Sequence, residues 1–435
     1  MGGSLGGGDV NAFASAPTGQ GRTVLYVYDG DWPWRATRVA KQTRSLAAAG
    51  HRVVLISRND RCQPRVEQTE WMTVRRLPCT AARPINRVIN FPFPANPVWY
   101  FSILRAAVDC GADCIVVRDL PLALTALAVG RRLGLPVVYD MAEVYPEFLR
   151  DRVEFGRASF LDRIVKNPSG AERVERAVLR RADAVVVVSD ESRDRCVRLG
   201  VPANRIVHVG NTPEDLEAIG AVPRDPSRDA PAFDEFSLLF VGILMWDRGV
   251  ADVVRALPLI REAFPKTRLV VAGDGDERGE IERLVAESGL EASVDLLGWR
   301  EHASLPELYA AADVGLLPFR AGRHVKITLA NKLFDYMAAG VPIVASDLPP
   351  MRRVLDETHA GVFFAPGDSA SLASAVISLL RDRATRRRLA DNGRRAAAEK
   401  YNWREDEKRF LEIFASTRAP VSGRPLSPRG AATVR

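Results

Sequence analysis

Short apolar runs rich in β-branched residues alternate with helical stretches along most of the chain, and this rhythm limits the fold more than any other feature. Thr23–Tyr28 reads as a strand and leads to a helical pattern near Thr37–Ala49. Arg52–Ser57, Asp113–Val117, Pro136–Tyr139 and Ala184–Val188 continue the series. Strands that alternate with helices need crossover connections, which build a parallel sheet. Ala184-Val185-Val186-Val187-Val188 is apolar at every position, as a strand covered on both faces must be. Pro223, Pro226 and Pro231 stand among charges within Ala221–Asp234 and mark a linker. The rhythm then restarts at Ser237–Val241, Arg268–Ala272, Ser293–Leu297, Asp313–Leu317, Val341–Ala345 and Val362–Ala365.

The expected fold class is therefore α/β, with two doubly wound Rossmann-like domains facing across a cleft. The first spans 21–220, the linker 221–234 and the second 235–400. In such sheets ligands bind beyond the carboxyl ends of the strands, so the cleft is the expected site. Residues 1–20, rich in Gly, Ala and Ser, and residues 417–435, rich in Pro, Ser and Arg, are expected to be disordered.

Length and composition set outer limits. A chain of 435 residues can bury two cores. Its 47% hydrophobic and 26% charged residues belong to soluble globular proteins. The net charge of +7 owes much to Arg418, Arg424, Arg429 and Arg435 near one end, so charge alone points mainly to a solvated surface. No nucleic-acid partner is expected. The five cysteines are scattered, which fits reduced, mostly buried thiols and a reducing compartment. The start of the chain lacks the pattern of a secretory signal. The uncharged run Val88–Leu104 is broken by Pro92, Pro94 and Pro97 and is too short to span a bilayer. A cytoplasmic location is expected, with peripheral contact at the inner membrane surface left open. Arg83–Tyr100, which mixes Arg with Phe91, Phe93, Trp99 and Tyr100, could close a loop over the core, hold an acceptor or touch lipid headgroups.

The most telling local stretch runs from Asn331-Lys332-Leu333-Phe334-Asp335 through Gly340 to Asp347. It reads as a helix start, a helix-ending Gly and a buried strand. A helix start presents free amides and partial positive charge, a natural seat for a diphosphate. A carboxylate one turn in, at Asp335, can accept from the diol of a ribose. Phe240-Val241-Gly242 with Arg248-Gly249 reads as strand, loop and helix start, where Arg248 could clamp phosphate oxygens. Asp29-Gly30-Asp31 and Gly273-Asp274-Gly275-Asp276 fit ordinary turns better than a metal pair. Asp140-Met141-Ala142-Glu143 places two acids at a strand's carboxyl end, where they could work on a substrate or merely cap a helix. The pattern of a Ser/His nucleophile, a Walker loop or a zinc ligand set is absent from the sequence.

Taken together, these segments resemble the retaining glycosyltransferases of family 4, the group 1 glycosyltransferases of GT-B fold. The resemblance covers 22–416. It is strongest in Phe240-Val241-Gly242, Val271-Ala272-Gly273-Asp274-Gly275, Leu297-Gly298-Trp299, Leu308-Tyr309-Ala310-Ala311-Ala312-Asp313-Val314 and Asn331 to Gly340. It implies a nucleoside-diphosphate-sugar donor on the second domain, an acceptor on the first and no obligatory metal or other cofactor. A last helix, near Arg404–Phe414 within 401–416, would return to the first domain. By position, Arg248 would clamp the diphosphate, and Asn331, Lys332 and Leu333 would lie at the diphosphate loop. Asp335 stands where a Glu usually binds ribose, Gly242 lies in the first glycine loop, and Gly298 lies in the loop that meets the base. The chain departs from the family pattern at Ile243 (often Arg), Ile327 (often Glu) and Ala142 (often His).

The implied reaction moves a hexosyl-type sugar to a hydroxyl of a glycan, a lipid-linked glycan or a natural product. Arg248 and Lys332 would neutralise the leaving diphosphate, Glu143 would orient the acceptor or the sugar, and Asp140 would lie on the acceptor side. The rival readings are an epimerase of the same fold and a non-catalytic member that binds a nucleotide sugar.

Overall fold

The computed structural model describes residues 21–34, 36–92, 96–157, 167–229 and 234–416. The expected disorder of 1–20 and 417–435 lies outside these residues, as do Phe93, Pro94 and Pro231. Two sheets form two lobes. The first holds β1 (Thr23–Val27), β2 (Arg52–Ser57), β3 (Val66–Gln68), β4 (Met72–Arg76), β5 (Cys114–Arg118), β6 (Val137–Met141), β7 (Ala184–Val187) and β8 (Ile206–His208). Its strand order is β3-β4-β2-β1-β5-β6-β7-β8, parallel except where β3 meets β4. The second holds β9 (Ser237–Val241), β10 (Arg268–Ala272), β11 (Val294–Gly298), β12 (Val314–Leu317), β13 (Ile343–Ser346) and β14 (Gly361–Phe364). Its order is β11-β10-β9-β12-β13-β14, parallel throughout. Structures of this kind cover both sheet faces with helices, and the central strands β1, β5, β7 and β12 are accordingly buried at nearly every position.

Several features correct the sequence reading. Strands β3, β4 and β8 went unrecognised. Val66–Gln68 is an exposed three-residue edge strand, and Met72–Arg76 alternates buried and half-buried positions with two arginines at its end. Neither carries an apolar run. Arg83–Tyr100 is not a closing loop; it opens two helices, Arg83–Asn90 and Pro97–Cys110. Trp99 is fully buried there, and its indole donates to the Asn90 carbonyl at 3.4 Å. β13 begins at Ile343 because Gly340, at φ 67°, caps the preceding helix and Pro342 cannot extend the ladder inward. The expectation of reduced thiols holds for Cys110, Cys114 and Cys196, which are free and buried. Cys62 and Cys79 instead form a disulfide, with Cα atoms 5.3 Å apart. They lie in loops after the neighbouring strands β2 and β4, so their proximity is visible only once β4 is placed.

The two lobes are tied twice by the chain itself. Between them, Arg224 and Arg228 both pair with Asp313, the buried residue just before β12 (2.5 and 2.7 Å). Asp313 also accepts from the Ser237 amide at 2.8 Å, so the connection is pinned to the base of the second sheet. At the end, the helix Trp403–Ser416 packs on the first lobe, burying Trp403, Phe410, Ile413 and Phe414 with Val24, Tyr26 and Leu55. Burial of each such aromatic contributes about 2–3 kcal/mol. The Trp403 indole donates to Ser45 Oγ at 2.9 Å, and the buried Asp406 accepts from the Gly210 amide at 2.8 Å and from the Thr212 hydroxyl.

Removing Asp406 would leave those two donors unpaired inside the protein. Asp406→Ala is therefore expected to lower the free energy of unfolding by about 2–4 kcal/mol, measured as a lower midpoint in urea. A midpoint equal to that of the unchanged protein would show that this carboxylate does not anchor the helix.

Candidate active site

In the second sheet, β9 and β12 are neighbours although β10 and β11 intervene in sequence. Their following helices leave in opposite directions, and a crevice opens between the strand ends. Three glycines shape its walls. A side chain on Gly249 (φ 65°) would come within 1.8 Å of the Pro318 carbonyl oxygen, and one on Gly273 within 1.8 Å of the Gly242 carbonyl. The glycines after β9 and β10 thus let backbones touch. Gly275 presses likewise on Leu244, and Asp274 accepts from the Gly275 amide at 2.9 Å, the behaviour of a turn. Among the described residues no group of three or more His, Cys, Asp or Glu side chains could hold a metal ion.

Arg248 lies in the loop before the helix Val250–Ala263, its guanidinium 4.6 Å over the Phe319 ring and 3.6 Å from Asp247. Phe319 belongs to the segment after β12, which is fixed by Arg320: its amide donates to the Asp247 carbonyl at 3.0 Å, and its guanidinium grips Asp252 at 2.8 Å. That segment ends in the helix Asn331–Ala339, whose start has no side-chain cap. Asn331 is exposed at its first position. The Leu333 side chain is fully buried in the core, and its amide donates to the Ala330 carbonyl rather than to a side-chain cap. Lys332 Nζ lies 2.7 Å from Asp335 Oδ2, and Tyr309 donates to the same oxygen at 3.3 Å. Gly298 closes β11 at φ 69°, where the register against β10 shifts, and the next residue, Trp299, lies 5.7 Å from Trp34 of the first lobe.

In the first sheet the corresponding reversal is at β1, with β2 on one side and β5 on the other. Asp119 follows β5 at φ 63°, a strained conformation for a residue with a Cβ. Its carboxylate accepts from the Glu143 amide at 3.1 Å and so sets the loop after β6. Burial raises the Asp119 carboxyl well above its ordinary range against the pull of Arg118; Asp29, Glu143 and Asp140 add to the rise. Asp140 does not lie on the acceptor side of the cleft surface. It is fully buried, gripped by the Arg38 guanidinium at 2.7–3.2 Å, and it faces the Tyr26 hydroxyl at 3.5 Å. Glu143 is different: its side chain is 46% exposed and reaches the second lobe, 2.5 Å from His324 Nε2. Burial opposes its charge, but His324, Arg248 and Arg118 outweigh burial and hold it below the usual glutamate range.

The lobes meet through residues 322–328. The amides of Arg323 and His324 donate to the buried Asp151 of the first lobe at 2.9 and 2.8 Å. The Ile327 carbonyl accepts from the hydroxyls of Ser189 and Ser192, both at 2.6 Å, and its side chain packs on the first lobe's core. Phe155 stacks on Trp246 at 4.6 Å, and Arg157 pairs with Glu277 at 2.8 Å. Arg248 and Glu143 thus share one electrostatic neighbourhood, and Lys332 and Asp335 share another. Sequence reasoning missed Asp119, Asp151 and His324. An acid directly after the β5 run was a usable signal for Asp119; a lone His or Asp in a polar stretch was not.

Comparison with known proteins agrees with this arrangement. The family model described as glycosyl transferases group 1 matches residues 235–382, and that described as a glycosyl transferase 4-like domain matches 36–212. Glycogen synthase of Mycobacterium tuberculosis is 29% identical over 402 residues, 88% of this chain and 91% of that protein. An uncharacterized glycosyltransferase of Methanocaldococcus jannaschii is 30% identical over 181 residues, and this chain spans only 45% of its length. Among solved structures, the sucrose-phosphate synthase of Thermosynechococcus elongatus superposes with a TM-score of 0.74 at 21% identity, covering 91% of this chain and 98% of that one. Anabaena HepE, solved in complex with UDP-glucose, gives 0.68 at 16% identity, covering 91% and 100%. These structural likenesses fix the fold, two Rossmann-like domains of GT-B type.

The approach of Gly249 to Pro318 sets the crevice wall. Gly249→Ala is expected to cost about 1–3 kcal/mol from its positive φ alone, with the clash adding to it, read as a lower melting temperature. An unchanged melting temperature would mean that the two backbones do not meet as described.

Proposed function

Because the chain belongs to the group 1 glycosyltransferases of GT-B fold, we propose that it moves a hexosyl-type sugar, with retention, from a nucleoside diphosphate to an acceptor hydroxyl. The observation that carries this reading is the pair of cationic sites on the second lobe: Arg248 over Phe319, near enough to act on Glu143 of the other lobe, and the uncapped helix start with Lys332. When the anomeric bond breaks, negative charge grows on the leaving diphosphate. Fixed donors already aimed at that charge stabilise it without reorganising, which is the strongest form of such help. Asp335, held by Lys332 and Tyr309, is suited to a ribose diol.

The departing phosphate oxygen is a base on the same face as the incoming hydroxyl. It would take the acceptor proton there, so attack and departure share one face and the configuration at the anomeric carbon is kept. Glu143 is a carboxylate at neutral pH and would orient the acceptor or the sugar. Lobe contact would exclude water from the bond being broken. The side chains and amides supply the positive charge, so the reading requires no metal and predicts activity in the presence of EDTA. The UDP-glucose complex of HepE makes that donor the first to try. The acceptor belongs to the class of glycans, lipid-linked glycans and small natural products. Ile85, Val88, Phe91 and Phe101 are exposed beside Arg83 and Arg87, which supports contact of this face with an anionic membrane and so favours a lipid-linked acceptor. No helix of the described residues is long and apolar enough to cross a membrane.

Arg248→Ala and Lys332→Ala are each expected to lower kcat by roughly two orders of magnitude or more, the scale set by loss of an oxyanion donor. Turnover close to that of the unchanged protein in both variants contradicts the assignment. Product analysis by NMR tests the stereochemistry: an α-linked donor should yield an α-linked product, and a β-linked product rules out retention.

A further inference from the structure

Position 142, just before Glu143, is a buried alanine, so the first lobe offers Glu143 no imidazole of its own. The structure supplies one from the other side. His324, in the segment between β12 and the helix Asn331–Ala339, places Nε2 at 2.5 Å from Glu143 Oε2. The ring is buried, and the segment that carries it is held at three points. Its backbone amide and that of Arg323 are clamped by Asp151, the Phe148 ring meets it edge-on at 5.5 Å, and the Ile327 carbonyl three residues on is gripped by Ser189 and Ser192. A side chain on Gly322 would come within 2.5 Å of the Asp151 carboxylate and would push on the clamp. His324 Nδ1 has no hydrogen-bond partner among the described residues. Among the described residues the ring's one hydrogen bond is the one it makes with Glu143, and burying an imidazole for a single hydrogen bond is costly unless that contact matters.

We propose that His324 is a positioning residue for Glu143, delivered across the cleft, so that the acceptor-side carboxylate is aimed only while residues 322–328 of the donor lobe are seated on the acceptor lobe. The Nε2–H donates to Oε2 and fixes the carboxylate's rotation. Arg248 and Arg118 also act on Glu143, but as charges without a hydrogen bond to it, and Asp119 holds only its backbone amide. None of them sets the direction of the carboxylate. This inference rests on the transferase reading for its kinetic consequence, while the contact itself stands apart from it.

The test has two arms. Proton NMR of the full-length protein should show a far-downfield imidazole N–H resonance that disappears in both His324→Gln and Glu143→Ala. Absence of the resonance, or its survival in Glu143→Ala, overturns the proposal whatever the protein catalyses. In steady-state kinetics, His324→Ala is expected to lower kcat roughly tenfold to a hundredfold, as misplacement of a reacting group does, with donor KM changed less than twofold. His324→Gln, whose amide nitrogen can stand where Nε2 stood, should recover most of that loss. The double variant Glu143→Gln with His324→Ala should be no slower than Glu143→Gln alone, because one residue acts through the other. Unchanged kcat in His324→Ala, equal damage in His324→Gln, or multiplying losses in the double variant each overturn it. If the unchanged protein transfers no sugar yet shows the resonance, the transferase reading fails and the contact stands.

Discussion

A single buried carboxylate, Asp151, governs how the two lobes face each other. It accepts from two successive backbone amides of the opposite lobe, at 2.9 and 2.8 Å, in a place from which water is excluded. Burial, with a smaller push from Glu154, raises the Asp151 carboxyl above its ordinary value, and the two amides with the charge of His324 pull against that rise. The arrangement is stable because the donors are backbone groups that would otherwise be orphaned as well. From this clamp follow the seating of Ile327 in the first lobe's core, the approach of His324 to Glu143, and the placing of Glu143 within the influence of Arg248.

The second determinant is how the crevice handles positive charge before a substrate arrives. Arg248 rests on an aromatic face and beside Asp247, whose Oδ1 has no hydrogen-bond partner among the described residues. Lys332 is matched by Asp335, one turn along its own helix. Both cations are therefore held by partners on the same lobe and need not be drawn from solution at the moment of reaction. A diphosphate entering between them exchanges weak intramolecular pairing for stronger charge-assisted bonds. The same balance explains why the helix start is left without a cap: a side chain there would occupy the amides that a phosphate would use.

Much of the fold was legible because central strands are apolar runs of β-branched residues and their neighbours are amphipathic helices. Ser237–Val241 and Arg268–Ala272 were placed to the residue. What escaped was held by tertiary contact instead of pattern. Val66–Gln68 is a strand only because it pairs with Met72–Arg76, and the Cys62–Cys79 bridge follows from the pairing of Met72–Arg76 with Arg52–Ser57. At the site, residues on helix starts and glycine loops could be read, since local geometry dictates them. Asp140 and Asp119 look alike in sequence, as acids at strand ends, and both are buried; only their partners separate them, since Arg38 grips Asp140 while Asp119 takes the Glu143 amide. His324 gave no local signal, because its meaning lies in a residue 181 positions away.

The central claim is that cationic side chains and helix-start amides of the second lobe hold a pyrophosphate. Titration calorimetry of the intact protein with UDP-, GDP-, dTDP- and ADP-linked hexoses tests it most directly. The account predicts saturable heat with at least one of them, weakening as salt is added. No heat with any donor at about 1 mM ligand, a concentration that reveals even weak association, would contradict it.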